Sequence, residues 1–117
     1  MKPRDPRSFL PLSPLAFQVL LSLSDESRHG YAIIQEIAGR TEGLVSMRTG
    51  TMYLLLQRMV ADGLIEESAS RPKTDNDDER RRYYVPTPLG RAVASAEAKR
   101  LEAMVSQARR KQVLGRR

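Results

Sequence analysis

The spacing of apolar and polar positions along the chain predicts four helices and one β-hairpin. Ser13-Pro14 and Thr87-Pro88 each place a capping side chain directly before a proline, which is typical of a helix start. The third helix has the clearest pattern, because its apolar residues recur at i, i+3, i+4, i+7 and i+8 from Met52, and Gly63 follows as a stop. The predicted elements are helices over 14–23, 29–40 and 48–62, an extended segment over 44–46, strands over 64–68 and 81–85, and a last helix over 88–114.

Two of these helices carry more apolar surface than a small domain can cover. In the first helix only Gln18 and Ser22 interrupt the apolar residues, so the helix must be covered on more than one side. Apolar residues of the last helix alternate spacings of four and three, which is typical of a short coiled-coil seam. We therefore expect a homodimer. The predicted dimer-interface residues are Leu15, Val19, Ala94, Ala98, Leu101, Met104, Val105 and Ala108.

The order of the elements indicates a fold class. Three helices followed by a hairpin and a further helix are the order of elements typical of a winged helix-turn-helix, a mainly α (α+β) fold. We divide the chain into a flexible basic arm over 1–11, a winged helix-turn-helix domain with a two-stranded wing over 12–86, and a C-terminal dimerisation helix over 87–117.

Composition narrows the partners. The chain has 117 residues, a formal net charge of +6 and a sequence pI of about 10.2, which favours a polyanionic partner such as double-stranded DNA. The absence of cysteine excludes cysteine-ligated metals and thiolate catalysis, and it fits the cytoplasm. We expect no cofactor and no metal. The apolar run over 12–23 is too short to span a bilayer, so we expect no membrane association.

The polar N-terminal turn of the third helix is the first candidate DNA-binding element. An α-helix fits the major groove, where arginine can bind guanine and threonine can contact phosphate or a thymine methyl group. Gly50 lets backbone N–H groups approach a phosphate at the positive end of the helix. A merely solvated helix start is an equally valid interpretation of this pattern. The candidate DNA-binding residues of this helix are Arg48, Thr49, Gly50, Thr51, Tyr53 and Arg58.

The wing is the second candidate. Arg71, Lys73, Arg81 and Arg82 could bind phosphates, whereas the acidic residues over 75–79 at the hairpin tip would repel them. We interpret that tip as solvated charge and not as a metal site, because the spacing typical of calcium loops is absent. The single histidine, His29, has no nucleophile or acid partner in the pattern, so we expect a structural role for it and no enzymatic activity.

Four short motifs in order resemble the PadR family of transcriptional regulators, over roughly residues 12–90. The motifs are His29-Gly30-Tyr31, Gly50-Thr51-Met52-Tyr53 with Leu56, Asp62-Gly63-Leu64-Ile65, and Tyr84-Val85-Pro86-Thr87-Pro88-Leu89-Gly90. Leu54 departs from this pattern, because the family commonly has proline after the tyrosine.

The resemblance implies a repressor that binds pseudo-palindromic operators and dimerises through its first and last helices. A single C-terminal helix resembles the short subfamily, whose members often respond to a small aromatic or amphipathic effector near the dimer interface. The residues alone leave a second function open, in which the winged helix binds another protein instead of DNA.

Overall fold

A computed structural model of the chain describes residues 4–69 and 81–115, which contain four α-helices and a small antiparallel sheet. The helices and strands follow one another in the order expected for a winged helix. In chain order they are α1 (Pro14–Ser22), β1 (Arg28–His29), α2 (Gly30–Arg40), α3 (Thr49–Ala61), β2 (Ile65–Ser68), β3 (Tyr83–Pro86) and α4 (Pro88–Arg110).

Local capping explains where the helices begin. Ser13 and Thr87 have extended backbones, and their side chains accept hydrogen bonds from the N–H groups of Ala16 and Gly90, as the two Ser/Thr-Pro motifs predict. The α3 helix ends one residue before Asp62, and Gly63 follows with a φ of +79°, which is the left-handed conformation that glycine adopts without strain.

The sheet has three strands in the order β1-β3-β2. The predicted hairpin is present, with Glu66 opposite Val85 and Glu67 opposite Tyr84. The third strand, β1, was not predicted, because a pairing of two residues with the distant β3 leaves no alternating pattern in the sequence.

The apolar faces of α1, α2 and α3 meet the sheet in one core. Arg40 and Glu36, four residues apart on α2, form an ion pair with an N–O distance of 2.8 Å. The same guanidinium donates to Gln18 Oε1 at 2.6 Å and to Ser22 Oγ at 3.1 Å, so it also links α2 to α1. The buried apolar residues are Leu12, Ala16, Val19, Leu20, Leu23, Ile33, Ile37, Met52, Leu56, Met59, Leu64, Ile65, Tyr84 and Val93.

Three details of the predicted elements are wrong. The segment over 44–46 belongs to the irregular turn between α2 and α3 and is not an extended strand. On α2 the buried residues are Gly30, Ile33 and Ile37, so the sequence pattern that places Tyr31 on one face with Ile37 does not describe the buried face, and Tyr31 is exposed. Residues 6–9 form a 3-10 helix that packs against α4, so this part of the expected flexible arm is ordered.

The start of α4 contacts the end of α3 directly. Thr87 N–H donates to the carbonyl of Leu64 at 3.0 Å, and the Thr87 hydroxyl donates to the carbonyl of Gly63. Gly90 lies so close that a β-carbon at this position would overlap the Leu64 carbonyl group. We call this contact among Gly63, Leu64, Thr87 and Gly90 the α3–α4 corner.

We expect Gly90→Ala to destabilise the fold by about 3 kcal/mol, because the added methyl group collides with backbone that cannot rotate away. Chemical denaturation at a fixed protein concentration measures the change. Gly39→Ala is the matched control, since a β-carbon at Gly39 would have nothing within 4 Å. Equal stabilities for the two variants would contradict the close contact.

The buried carboxylate of Glu97 links the N-terminal segment to α4 and forms an ion pair with the partly exposed Arg100. The Glu97 carboxylate is only 3% exposed and accepts two hydrogen bonds of 2.7 Å from Arg100. It also accepts a longer bond, 3.4 Å, from Leu12 N–H. The Arg100 bonds, and after them the Leu12 bond, hold the pKa of Glu97 below its ordinary value, although burial opposes this shift.

We expect Glu97→Gln to lower the free energy of unfolding at neutral pH by about 1–3 kcal/mol, because an amide cannot accept both guanidinium bonds. Because folding lowers this pKa, the ionised carboxylate stabilises the fold at pH values above 4.5, the ordinary pKa of the group. This contribution disappears as the pH falls through the lower pKa of the folded state. The difference between the wild type and the variant should therefore close below pH 4.5 in denaturation curves measured across acidic pH. A difference that stays constant with pH would argue against the ion pair.

Candidate nucleic-acid interface

The α3 helix is fixed in the domain by one face. Its buried residues are Met52, Leu56 and Met59, and the first two of them pack near Gly30 at the start of α2, where a β-carbon would lie 3.5 Å from Leu56. The residues directly opposite on the helix are Gly50, Leu54, Gln57 and Ala61, at spacings of four, three and four, and all four are exposed. We call these four residues the outer face of α3.

The N-terminus of α3 differs from those of the other described α-helices. The starts of α1, α2 and α4 are capped by the side chains of Ser13, His29 and Thr87. Arg48 occupies the corresponding position in α3, and its side chain makes no capping hydrogen bond. Because the first-turn N–H groups of a helix lack partners within the helix, this terminus presents donors and partial positive charge to an anion.

Nothing in the packing of the described residues, 4–69 and 81–115, requires a glycine at position 50. A β-carbon at Gly50 would have nothing within 4 Å, and the backbone there has no positive φ. Alanine would therefore fit the isolated subunit and would suit a helix better. An absent side chain in the first turn leaves room for close approach by a separate molecule.

The other predicted residues of α3 divide between two flanks. Thr49 and Tyr53 lie on the flank that includes Val60 and faces the sheet, and Tyr53 is 51% exposed. Thr51 and Arg58, seven residues apart, are both exposed on the opposite flank. Arg48, Thr49, Gly50 and Thr51 therefore lie together at the start of α3. Tyr53 follows one turn later on the flank near the sheet, and Arg58 lies on the opposite flank.

Only part of the predicted wing site lies within the described residues. Arg82 is exposed and forms an ion pair with Glu67 at 3.4 Å. Arg81 is half-buried, and its Nη1 atom lies 3.2 Å from Nε2 of His29. Arg71 and Lys73 fall outside the described residues, as does the acidic hairpin tip over 75–79.

His29 joins three elements, as the expected structural role requires. Its Nδ1 atom accepts a hydrogen bond of 3.1 Å from Ala32 N–H, which caps α2. Its ring lies edge-on to Tyr83 of β3, with the centroids 5.2 Å apart. Since Arg81 lies against the same ring, the histidine connects the helix-turn-helix to the base of the wing.

A groove of about 350 Å³ separates α3 from the sheet. Its charged residues are Glu66, Glu67 and Arg82, so the wing base carries both signs of charge beside α3. Burial first, and the nearby Glu67 second, raise the pKa of Tyr84 above its ordinary value, so its hydroxyl stays protonated and able to donate a hydrogen bond. The sequence missed this arrangement, because it depends on the strand register that sets Glu67 opposite Tyr84.

The predicted dimer-interface residues have very different exposures. Val19 is fully buried in the core of its own subunit, so its side chain is unavailable to a partner and the prediction is wrong at this position. Leu15 is 36% exposed, and three apolar residues of α4 are exposed, namely Leu101 (37%), Met104 (53%) and Val105 (43%). Ala98 is exposed as well, while Ala94 and Ala108 are partly covered.

Residues 4–69 and 81–115 contain no group of three or more His, Cys, Asp or Glu side chains placed to hold a metal ion. In the same parts of the chain, no helix has the length and apolarity needed to cross a membrane.

Comparison with known proteins assigns a family. The sequence profile of the PadR-like family of transcriptional regulators matches residues 19–96, which is two-thirds of the chain. An uncharacterised protein from Lysinibacillus sphaericus is 32% identical over 77 residues, which make up 66% of this chain and 68% of that protein.

Solved structures agree with the profile. A PadR-like transcriptional regulator from Bacillus cereus is 27% identical and has a TM-score of 0.65, with 86% of this chain and 92% of that one covered. Bacillus subtilis PadR in complex with operator DNA has a TM-score of 0.57 over 70% of this chain and 46% of that one. At 18% identity this second likeness shows the fold alone.

The family profile and the winged-helix fold agree with the four motifs identified in the sequence, and they assign the chain to a class of regulators and not of enzymes. The chain belongs to the PadR-like family of transcriptional regulators.

Proposed function

We propose that the chain is a sequence-specific DNA-binding repressor that acts as a homodimer on a pseudo-palindromic operator in the cytoplasm, and that a small aromatic or amphipathic effector controls it. The observation that carries the DNA-binding part is the N-terminus of α3, which has no side-chain cap, an open Gly50 and an exposed Arg48. Backbone N–H groups at a helix start can bind a phosphate, and a guanidinium at the same place can bind guanine. The complex of Bacillus subtilis PadR with operator DNA supports the same use of this fold.

The exposed stripe on α4 supports the homodimer. Leu101, Met104 and Val105 lie on the half of α4 that extends beyond the core, and each keeps more than a third of its surface exposed. A second copy would bury the stripe by packing α4 on α4. Two α3 helices related by the resulting two-fold axis would reach half-sites one helical turn apart, on the order of 10 bp.

A cavity between α1 and α4 supports the effector. Its volume is about 140 Å³, and Leu20, Pro86 and Ala94 form its apolar walls, with Arg91 at the same cavity. An apolar space of roughly this size accommodates a single aromatic ring. Because Ala94 belongs to the predicted dimer seam, a bound ring would contact the helix that sets the dimer geometry.

The alternative function is a winged-helix module that binds another protein. The groove beside α3, with Glu66 and Glu67, is the observation that favours it, because these carboxylates would repel phosphate. Selection of bound duplexes from a random DNA library at physiological salt distinguishes the two functions. A repressor enriches one motif and binds it more tightly than scrambled DNA or heparin, whereas the interaction module enriches none.

We expect Gly50→Ala to lower affinity for the enriched duplex by at least tenfold while the thermal stability stays equal or rises. The physical reason is that alanine fits the helix but separates its first turn from the phosphate. A titration of labelled duplex, paired with a thermal melt, measures both effects.

Gly39→Ala is the matched control, because it makes the same change at another helical glycine with open space around it, on α2. It should retain full affinity. Equal affinities for the two variants would remove the proposed role of Gly50.

We expect Leu101→Glu to split the dimer and to abolish tight binding of the full operator, because a carboxylate in an apolar seam would be buried without a partner. Light scattering after size-exclusion chromatography gives the mass, and a duplex titration gives the affinity. Ala103→Glu adds the same charge at an exposed position on the opposite side of α4 and should remain dimeric. A monomeric Leu101→Glu protein that still binds the full operator tightly would refute the dimer.

A further inference from the structure

We propose that Leu54 recognises the methyl group of a thymine in each half-site of the operator. This inference rests on the proposed DNA-binding function. It goes further by naming the base that the outer face of α3 selects. It assigns specificity to a residue that the sequence pattern does not mark as DNA-binding.

Leu54 lies at the centre of the outer face of α3. It follows Gly50 by four residues and precedes Gln57 by three, directly opposite the buried Met52 and Leu56. Its side chain is 70% exposed, so the subunit gains little from its apolar surface. Whatever molecule lies against the open backbone of Gly50 also lies against Leu54 one turn later.

The neighbouring exposed apolar residues of α3 do not share this position. Val60 lines the groove beside the sheet, and Tyr53 lies on the same flank, near the Tyr84 hydroxyl. The exposed stripe of Leu101, Met104 and Val105 is on another helix, α4. A single exposed leucine on a protein surface needs no explanation by itself, but here the position on the outer face decides what it contacts.

The chemistry of the major groove restricts the partner of such a side chain. Each base edge presents hydrogen-bonding groups, and the C5-methyl group of thymine is the apolar group among them. A leucine pressed against a polar edge would displace water without replacing its hydrogen bonds. Contact with a thymine methyl group buries apolar surface on both sides and carries no such cost.

The experiment replaces each thymine of the enriched duplex, one symmetric pair at a time, with deoxyuridine, which lacks only the methyl group. At one position the substitution should lower the affinity of the wild type about fourfold for each half-site. Burying one methyl group contributes ~0.8 kcal/mol, and each 1.4 kcal/mol corresponds to about a tenfold change in affinity. Leu54→Ala should bind the unmodified duplex more weakly than the wild type and lose nothing further at that position.

Leu44→Ala is the control, because Leu44 is 89% exposed in the turn between α2 and α3 and does not lie on the outer face. It should keep the wild-type preference for thymine over uracil. The inference is overturned if Leu54→Ala keeps that preference, or if the wild type has none at any position. If the wild type binds no duplex specifically, the proposed function itself fails, which is a separate result.

Discussion

The close contact at the α3–α4 corner sets the geometry on which the other features depend. Gly90 lies against the carbonyl of Leu64, and no β-carbon fits between them. The Thr87 backbone and hydroxyl close the same corner by donating to the carbonyls of Leu64 and Gly63. Because backbone atoms form all but one of these contacts, the corner cannot relax by changing a rotamer. The end of α3 and the start of α4 are therefore held as one rigid unit.

This rigidity has a consequence for regulation. In a dimer that pairs through α4, the corner would transmit the packing of the two α4 helices to the positions of the two α3 helices. The spacing of the half-sites would then follow from helix packing, and not from the length of a linker. A ligand that shifts α4 against α1, such as one bound beside Leu20 and Ala94, would change that spacing without touching α3.

Features with a local cause could be predicted from the sequence, whereas those with a distant cause could not. The caps at Ser13 and Thr87 depend on residues within three positions, and the core face of α3 depends on its own periodicity. The burial of Glu97 depends instead on Leu12, 85 residues away, and on Arg100. At the candidate site, the start of α3 followed from its residue types, but the Glu67–Arg82 pair required the strand register.

The excess of positive charge is a poor guide to where an anion binds. Arg28, Arg40 and Arg100 bond to carboxylates or backbone of their own subunit and stabilise its packing, and Arg82 is partly neutralised by Glu67. On α3 the exposed surface is mostly glycine, threonine, tyrosine and leucine, with a guanidinium from Arg48 at its start and another within it. Such a surface offers few phosphate contacts of its own, so α3 alone should contribute little to the salt dependence of binding. The selectivity of α3 must then come from its guanidinium groups, hydroxyls and apolar side chains, because the helix-end N–H groups bind phosphate without reading the sequence.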